Sequence, residues 1–175
     1  MYNTLMRILG IDPGFERLGI AILEKNTGDK ASSAQGYGRP QRERVVFSEC
    51  FKTSSKIPFS ERLLMLGEEV RKVIKEYKPE ALGIETLFFQ NNQKTAIDVA
   101  ESRGVVIYEA ERAGLKIFEY SPQQIKSAVA GHGKADKTQV MKMVKILVSL
   151  DKDKKSDDEM DAIAVALTTF ASARF

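Results

Sequence analysis

Met6-Arg7-Ile8-Leu9-Gly10-Ile11-Asp12-Pro13-Gly14 decides how the chain begins to fold. The apolar run is of strand length and Asp-Pro-Gly is a turn signal, so residues 6–11 read as a buried strand stopping at a carboxylate. Residues 18–23 return as a second strand, which makes the pair a hairpin. Residues 26–44 are polar, rich in Gly, Ser and Lys and without periodicity; they are expected to form a long mobile loop at the hairpin tip. Residues 45–51 then complete an antiparallel meander of three strands.

Beyond residue 60 the period changes. Leu63, Leu66, Val70, Val73, Ile74 and Tyr77 recur at helical spacing, with Ser60 as the expected N-cap and Pro79 as the stop. Residues 81–87 read as a fourth strand, 95–112 as a helix ended by Gly114, and 116–120 as a fifth strand. Ser121-Pro122 opens a short helix in the favoured order, cap then proline, and Gly131-His132-Gly133 breaks it. Val140, Met143, Val144 and Leu147 mark another helix. A charged linker at 152–155 leads to a last helix at 158–173. An antiparallel start followed by alternating helices and strands predicts one α/β domain over 1–175, a mixed five-stranded sheet with helices packed on both faces.

Composition narrows the function. Hydrophobic residues make up 43% and charged residues 29% of 175 residues, as in a globular protein. The net charge of +3 is compatible with a phosphate-bearing partner without requiring one. One cysteine, Cys50, cannot form an internal disulfide; it is expected as a small buried hydrophobe in a reducing compartment. The first residues lack the apolar core of a signal peptide, and no apolar run reaches the ~20 residues of a membrane span. A cytoplasmic protein with no membrane association is expected.

Three places put carboxylates where an apolar core does not want them. Asp12 ends the first strand, Glu85 lies in Gly83-Ile84-Glu85-Thr86-Leu87, and Asp158 and Asp161 share a face at the start of the last helix. Taken alone, Asp12 is an ordinary turn residue. Acids in a first helical turn are commonplace too, because they favour the helix dipole. Glu85 resists such explanations, since a carboxylate between apolar neighbours needs a cation or hydrogen-bond donors. If the first and fourth strands are neighbours, Asp12 and Glu85 lie side by side. Converging carboxylates repel, and divalent cations relieve the repulsion. An oxygen-only donor set suits Mg²⁺ or Mn²⁺, and one His with one Cys makes zinc a poor fit.

Between Lys126 and Lys145 stand five lysines, among them Lys134 and Lys137, against the single acid Asp136. Such a run is usually a solvated face, but it can also track a phosphate backbone. Of Phe88 and Phe89, one is expected in the core and the other free to stack on an unpaired base. His132 reads as a loop residue rather than a general base.

These strings resemble the RuvC family of Holliday-junction resolvases. The likeness is carried by Arg-Ile-Leu-Gly-Ile-Asp-Pro-Gly, Gly-Ile-Glu-Thr-Leu-Phe-Phe, Ala-Glu-Ser-Arg-Gly-Val-Val, Glu-Tyr-Ser-Pro-Gln-Gln-Ile-Lys, Gly-Lys-Ala-Asp-Lys-Thr-Gln-Val and Ser-Asp-Asp-Glu-Met-Asp-Ala, in this order between residues 6 and 171. The resemblance implies an RNase H-like fold and a Mg²⁺-dependent endonuclease with two cations per subunit, Mn²⁺ substituting. It implies a homodimer that nicks strands of like polarity symmetrically at four-way junction DNA, with a branch-migration helicase as a further partner. Asp12, Glu85, Asp158 and Asp161 fall on the family's metal ligands, with Asp157 an alternative to Asp158. Lys126 and Lys137 fall on basic residues that the family uses near the cleaved strand, and Phe88 on the aromatic at the junction centre; Lys134, in the lysine-rich segment, is a further candidate DNA contact. The 26–44 segment is longer than the family's usual connection. A related nuclease acting on another branched DNA or on RNA is the alternative. A sugar-kinase or actin-like ATPase would need a duplicated domain, and an inactive junction binder would gain nothing from retaining four repelling acids.

Overall fold

The computed structural model describes residues 5–26, 43–87, 93–150 and 155–173. In chain order the elements are β1 (Leu5–Asp12), β2 (Arg17–Asn26), β3 (Glu43–Lys52), α1 (Phe59–Tyr77), β4 (Ala81–Glu85), α2 (Gln93–Arg112), β5 (Lys116–Tyr120), α3 (Pro122–Ala130), α4 (Lys137–Leu147), β6 (Val148–Ser149) and α5 (Asp157–Ser172). The sheet runs β5-β4-β1-β2-β3-β6. β1, β2 and β3 form the antiparallel meander, while β4 pairs parallel to β1 and β5 parallel to β4.

All five expected strands are present, and a sixth corrects the count. β6 has two residues, pairs with Glu43 and Arg44 of β3, and follows directly on α4. Two residues carry no readable periodicity. α1 begins at Phe59 after Pro58, whose carbonyl accepts from Glu61 and Arg62, so Ser60 lies inside the helix instead of capping it. Lys78 ends that helix in the left-handed region at φ 50°, its N–H donating to the Ile74 carbonyl. α5 starts one residue before the expected position because Ser156 caps it, in a reciprocal capping box with Glu159. Of the expected 26–44 loop, Asn26, Glu43 and Arg44 belong to strands, and residues 27–42 lie outside the described residues.

Alternation along the strands sorts the sheet into two unlike faces. Leu9 and Ile11, Leu18, Ile20 and Ile22, and Leu82 and Ile84 point toward α1 and α2 and are 0–1% exposed. Each such Leu or Ile contributes about 1.5–3 kcal/mol by burial. The other face presents smaller groups to α5, including Gly10, Gly19 and Ala21. At Gly10 an added Cβ would run into the Ala162 carbonyl and Ala166, and at Gly19 into the Asp158 carbonyl. The helix therefore lies almost directly on the strands, with Ala162, Ala164 and Ala166 buried against them.

This closeness is testable by contrast. Gly10→Ala is expected to lower stability by about 1–3 kcal/mol or more through overpacking. Gly104→Ala, in α2 with open space around its Cα, is expected to raise stability by about 0.5–1 kcal/mol through helix propensity. Denaturant midpoints of the two variants against the parent check both signs.

Candidate active site

The parallel pairing of β1 with β4 runs through Ile11 and Ile84, so Asp12 and Glu85 stand one step further on neighbouring strands. They have the parity of Gly10 and Gly83, and hence face α5. Ser156 sets the first turn of α5 over the same end of the sheet. Asp158 reaches the edge near β2 and β3, while Asp161 faces Asp12, Glu85 and α4.

Electrostatics link these groups to one another. Asp12 is pushed up to about 7, first by burial and then by repulsion from Asp161, Glu85 and Asp158, against a smaller opposing effect of Lys137. Glu85 is likewise raised to about 7 by burial and by Asp161, with Lys126 opposing. Asp161 is raised by burial in spite of its hydrogen bond from Lys137. Asp158 behaves differently. Burial would raise it, but hydrogen bonds from Cys50 and Arg17 outweigh burial and lower it.

A cavity of about 270 Å³ opens beside these acids, lined by Glu85, Asp161, Lys126 and Lys137 together with Pro122, Ile125, Val140 and Ala164. Lys137, the first residue of α4, reaches Asp161 at 3.1 Å and Asp157 at 3.3 Å. Lys134 sits exposed on the turn between α3 and α4, away from the cavity lining, as does His132, a loop residue as expected. Phe88 and Phe89 lie outside the described residues.

Several site neighbours escaped the sequence reading. Arg17 pairs with Asp158, and Cys50 Sγ donates to the same Asp158 oxygen at 3.2 Å. Cys50 is thus a half-buried hydrogen-bond donor and not the inert hydrophobe expected. Ser48 donates to Glu159 at 2.6 Å and accepts from Lys155 at 2.6 Å, tying the start of α5 to β3. Arg103 donates to the Glu85 carbonyl at 3.1 Å and also pairs with Glu119, bracing the end of β4. One signal for Ser48 and Cys50 was available: they are alternate residues of an otherwise bulky strand, so both face the small-residue side.

Among the described residues, no three His, Cys, Asp or Glu side chains form a closed metal-ligand group. Arg17 pairs with Asp158, and Lys137 with Asp161. The donor chemistry nonetheless fits a divalent cation. All candidate ligands are carboxylates, and the raised values of Asp12 and Glu85 mark a place short of positive charge.

The family model described as crossover junction endodeoxyribonuclease RuvC matches residues 8–169, a span that includes all of these acids. The chain belongs to the RuvC family. It is 42% identical over 162 residues to the crossover junction endodeoxyribonuclease RuvC of Desulfitobacterium hafniense, covering 93% of this chain and 90% of that protein. The Caldicellulosiruptor saccharolyticus relative is also 42% identical, over 168 residues, with 96% and 94% covered. The fold is RNase H-like, as in Thermus thermophilus RuvC solved in complex with a Holliday junction substrate. That match has a TM-score of 0.81 at 31% identity and covers 95% and 93% of the two chains. A yeast mitochondrial Holliday junction resolvase shares the fold at 14% identity and a TM-score of 0.64. No helix among the described residues is long and apolar enough to cross a membrane.

The raised acids give the metal-free protein an unusual pH dependence. Folding lifts Asp12 from 3.8 to about 7, so folding favours its protonated form. That contribution is complete below about pH 4 and is lost as pH rises through 7. Glu85 acts in the same sense. In chelator, the melting temperature is expected to rise as pH falls from 8 to 5. Asp12→Asn is expected to melt higher than the parent at pH 8, by at least about 3 °C, with the gap closing toward pH 5. An unchanged gap across that range in thermal melts would mean that Asp12 is not held against its neighbours' charge.

Proposed function

We propose that this chain resolves four-way DNA junctions as a homodimer, hydrolysing one phosphodiester per subunit in strands of like polarity with two Mg²⁺ ions in each site. Membership of the RuvC family supports the reaction class. One structural observation carries the assignment of residues: Asp12 interacts with Glu85 and Asp161, and the latter two line a cleft together with Lys126 and Lys137.

Asp12, Glu85, Asp161 and Asp158 are the proposed metal ligands. Divalent cations held there would supply an activated water and neutralise charge on the leaving oxygen. The chain's own groups do the remaining work. Lys137 is free to leave Asp161 once other charge neutralises that acid, and its ammonium then meets the non-bridging oxygens of the scissile phosphate. Lys126, which lines the same cleft as Glu85, holds the adjoining backbone phosphate in register. Arg103 keeps the Glu85 backbone fixed from behind. Phe88 is the proposed stacking residue at the junction centre, and a branch-migration helicase the proposed further partner. Mn²⁺ is expected to substitute for Mg²⁺, because the donors are all oxygen.

Incubation with a synthetic mobile junction, reading nicks on all four strands, tests the whole reading. Paired, symmetric nicks that require Mg²⁺ are expected; nicks on one strand only, or equal cutting of unbranched duplex, would overturn it. Asp12→Asn is expected to lose cleavage on the order of 10³-fold while retaining junction binding in a gel-shift assay. Lys137→Ala is expected to cut about 10²–10³-fold more slowly, with Lys137→Arg partly restored.

A further inference from the structure

Arg17 has no part in the scheme above, yet it sits on one of its ligands. It is the first residue of β2, and strand alternation turns its side chain to the same face as Gly19, under the start of α5. Its Nη2 donates to Oδ2 of Asp158, the oxygen that also accepts from Cys50 Sγ at 3.2 Å. The Arg17 side chain also interacts with Cys50 and is 53% exposed.

The resident cations are thus distributed unevenly. Arg17 neutralises Asp158 at one rim, and Lys137 spans Asp157 and Asp161 at the other. Among the described residues, Asp12 and Glu85 make no ion pair, although both lie in the crowded middle of the cluster. A first divalent cation has a place short of positive charge between Asp12 and Glu85. A second, needing Asp158, must compete with a guanidinium already in position. We propose that Arg17 is a resident counter-ion that withholds Asp158 from the second cation until a DNA phosphate draws the guanidinium away, so that the two cation positions fill in order. This rests on the metal-dependent nuclease reading.

The physical chemistry allows such a hand-over. An ion pair at a half-exposed site is weak enough to exchange. A guanidinium fork fits a phosphate at least as well as a carboxylate, and gains from the doubled hydrogen bonding. The arrangement also suits a nuclease selective for substrate. Without DNA the second position stays weak, so the complete pair of cations assembles mainly where a phosphate is present.

The experiment is a calorimetric titration of Mn²⁺ into the full-length, DNA-free protein, comparing the parent with Arg17→Gln and Arg17→Lys. The parent is expected to show one tighter and one weaker site. Arg17→Gln is expected to tighten the weaker site roughly three- to tenfold and leave the tighter one unchanged. Arg17→Lys, which keeps the charge, is expected to stay within twofold of the parent, and thermal melts check that both variants fold. Ca²⁺-supported junction binding should weaken in Arg17→Gln, since a phosphate contact is lost. Two equal sites in the parent, or a weaker site that Arg17→Gln leaves unchanged or loosens, overturns the role of Arg17. A parent that binds no divalent cation overturns the nuclease reading itself.

Discussion

Direct contact between α5 and the sheet is the constraint on which the rest of the molecule depends. Gly10 and Gly19 leave no side chain between the strands and the helix, and Ala162 and Ala166 keep the helix surface equally low. Only at that separation can carboxylates rooted on β1, β4 and α5 act on one another. A larger residue on either side would lift the helix, open the acidic cluster and weaken the apolar contacts that hold the layer. Packing and chemistry therefore share the same residues.

The charge arrangement stands against stability in the metal-free state. Asp12 and Glu85 are buried beside other acids, and folding raises both to about 7. The protein offsets this locally. Arg17, Cys50 and Lys137 hold the acids of α5, while Ser48, Lys155 and the Ser156–Glu159 capping box fasten its first turn to β3. The large aliphatic residues facing α1 and α2 provide stabilisation on the side of the sheet that carries no chemistry. One face is built for cohesion and the other tolerates repulsion.

The resident cations also make the acids unequal. A set of carboxylates with identical surroundings would bind cations interchangeably. Here the central pair, Asp12 and Glu85, lacks a cation partner among the described residues, whereas Asp158 and Asp161 each have one. Differences in neighbours, more than differences among the carboxylates themselves, set what each can bind and when.

Much of this was readable from the chain. Apolar runs of strand length, the change to helical spacing near residue 60 and the Ser121-Pro122 start fixed the order of elements, because these signals are local and periodic. The misfit of Glu85 in an apolar strand marked it as chemical without any contact information. Other features had no local signature. β6 is too short to carry a period, and the α1 cap depended on Pro58 rather than on the polar residue nearby. Arg17, Cys50, Ser48 and Arg103 are ordinary residues in their own segments. They acquire meaning only from partners such as Asp158, 141 residues from Arg17 and 108 from Cys50. Sequence by itself determined which residues are anomalous, since burial of charge is costly wherever it occurs. Tertiary structure alone decided which charges meet which, since that depends on strand pairing and helix placement between segments far apart along the chain.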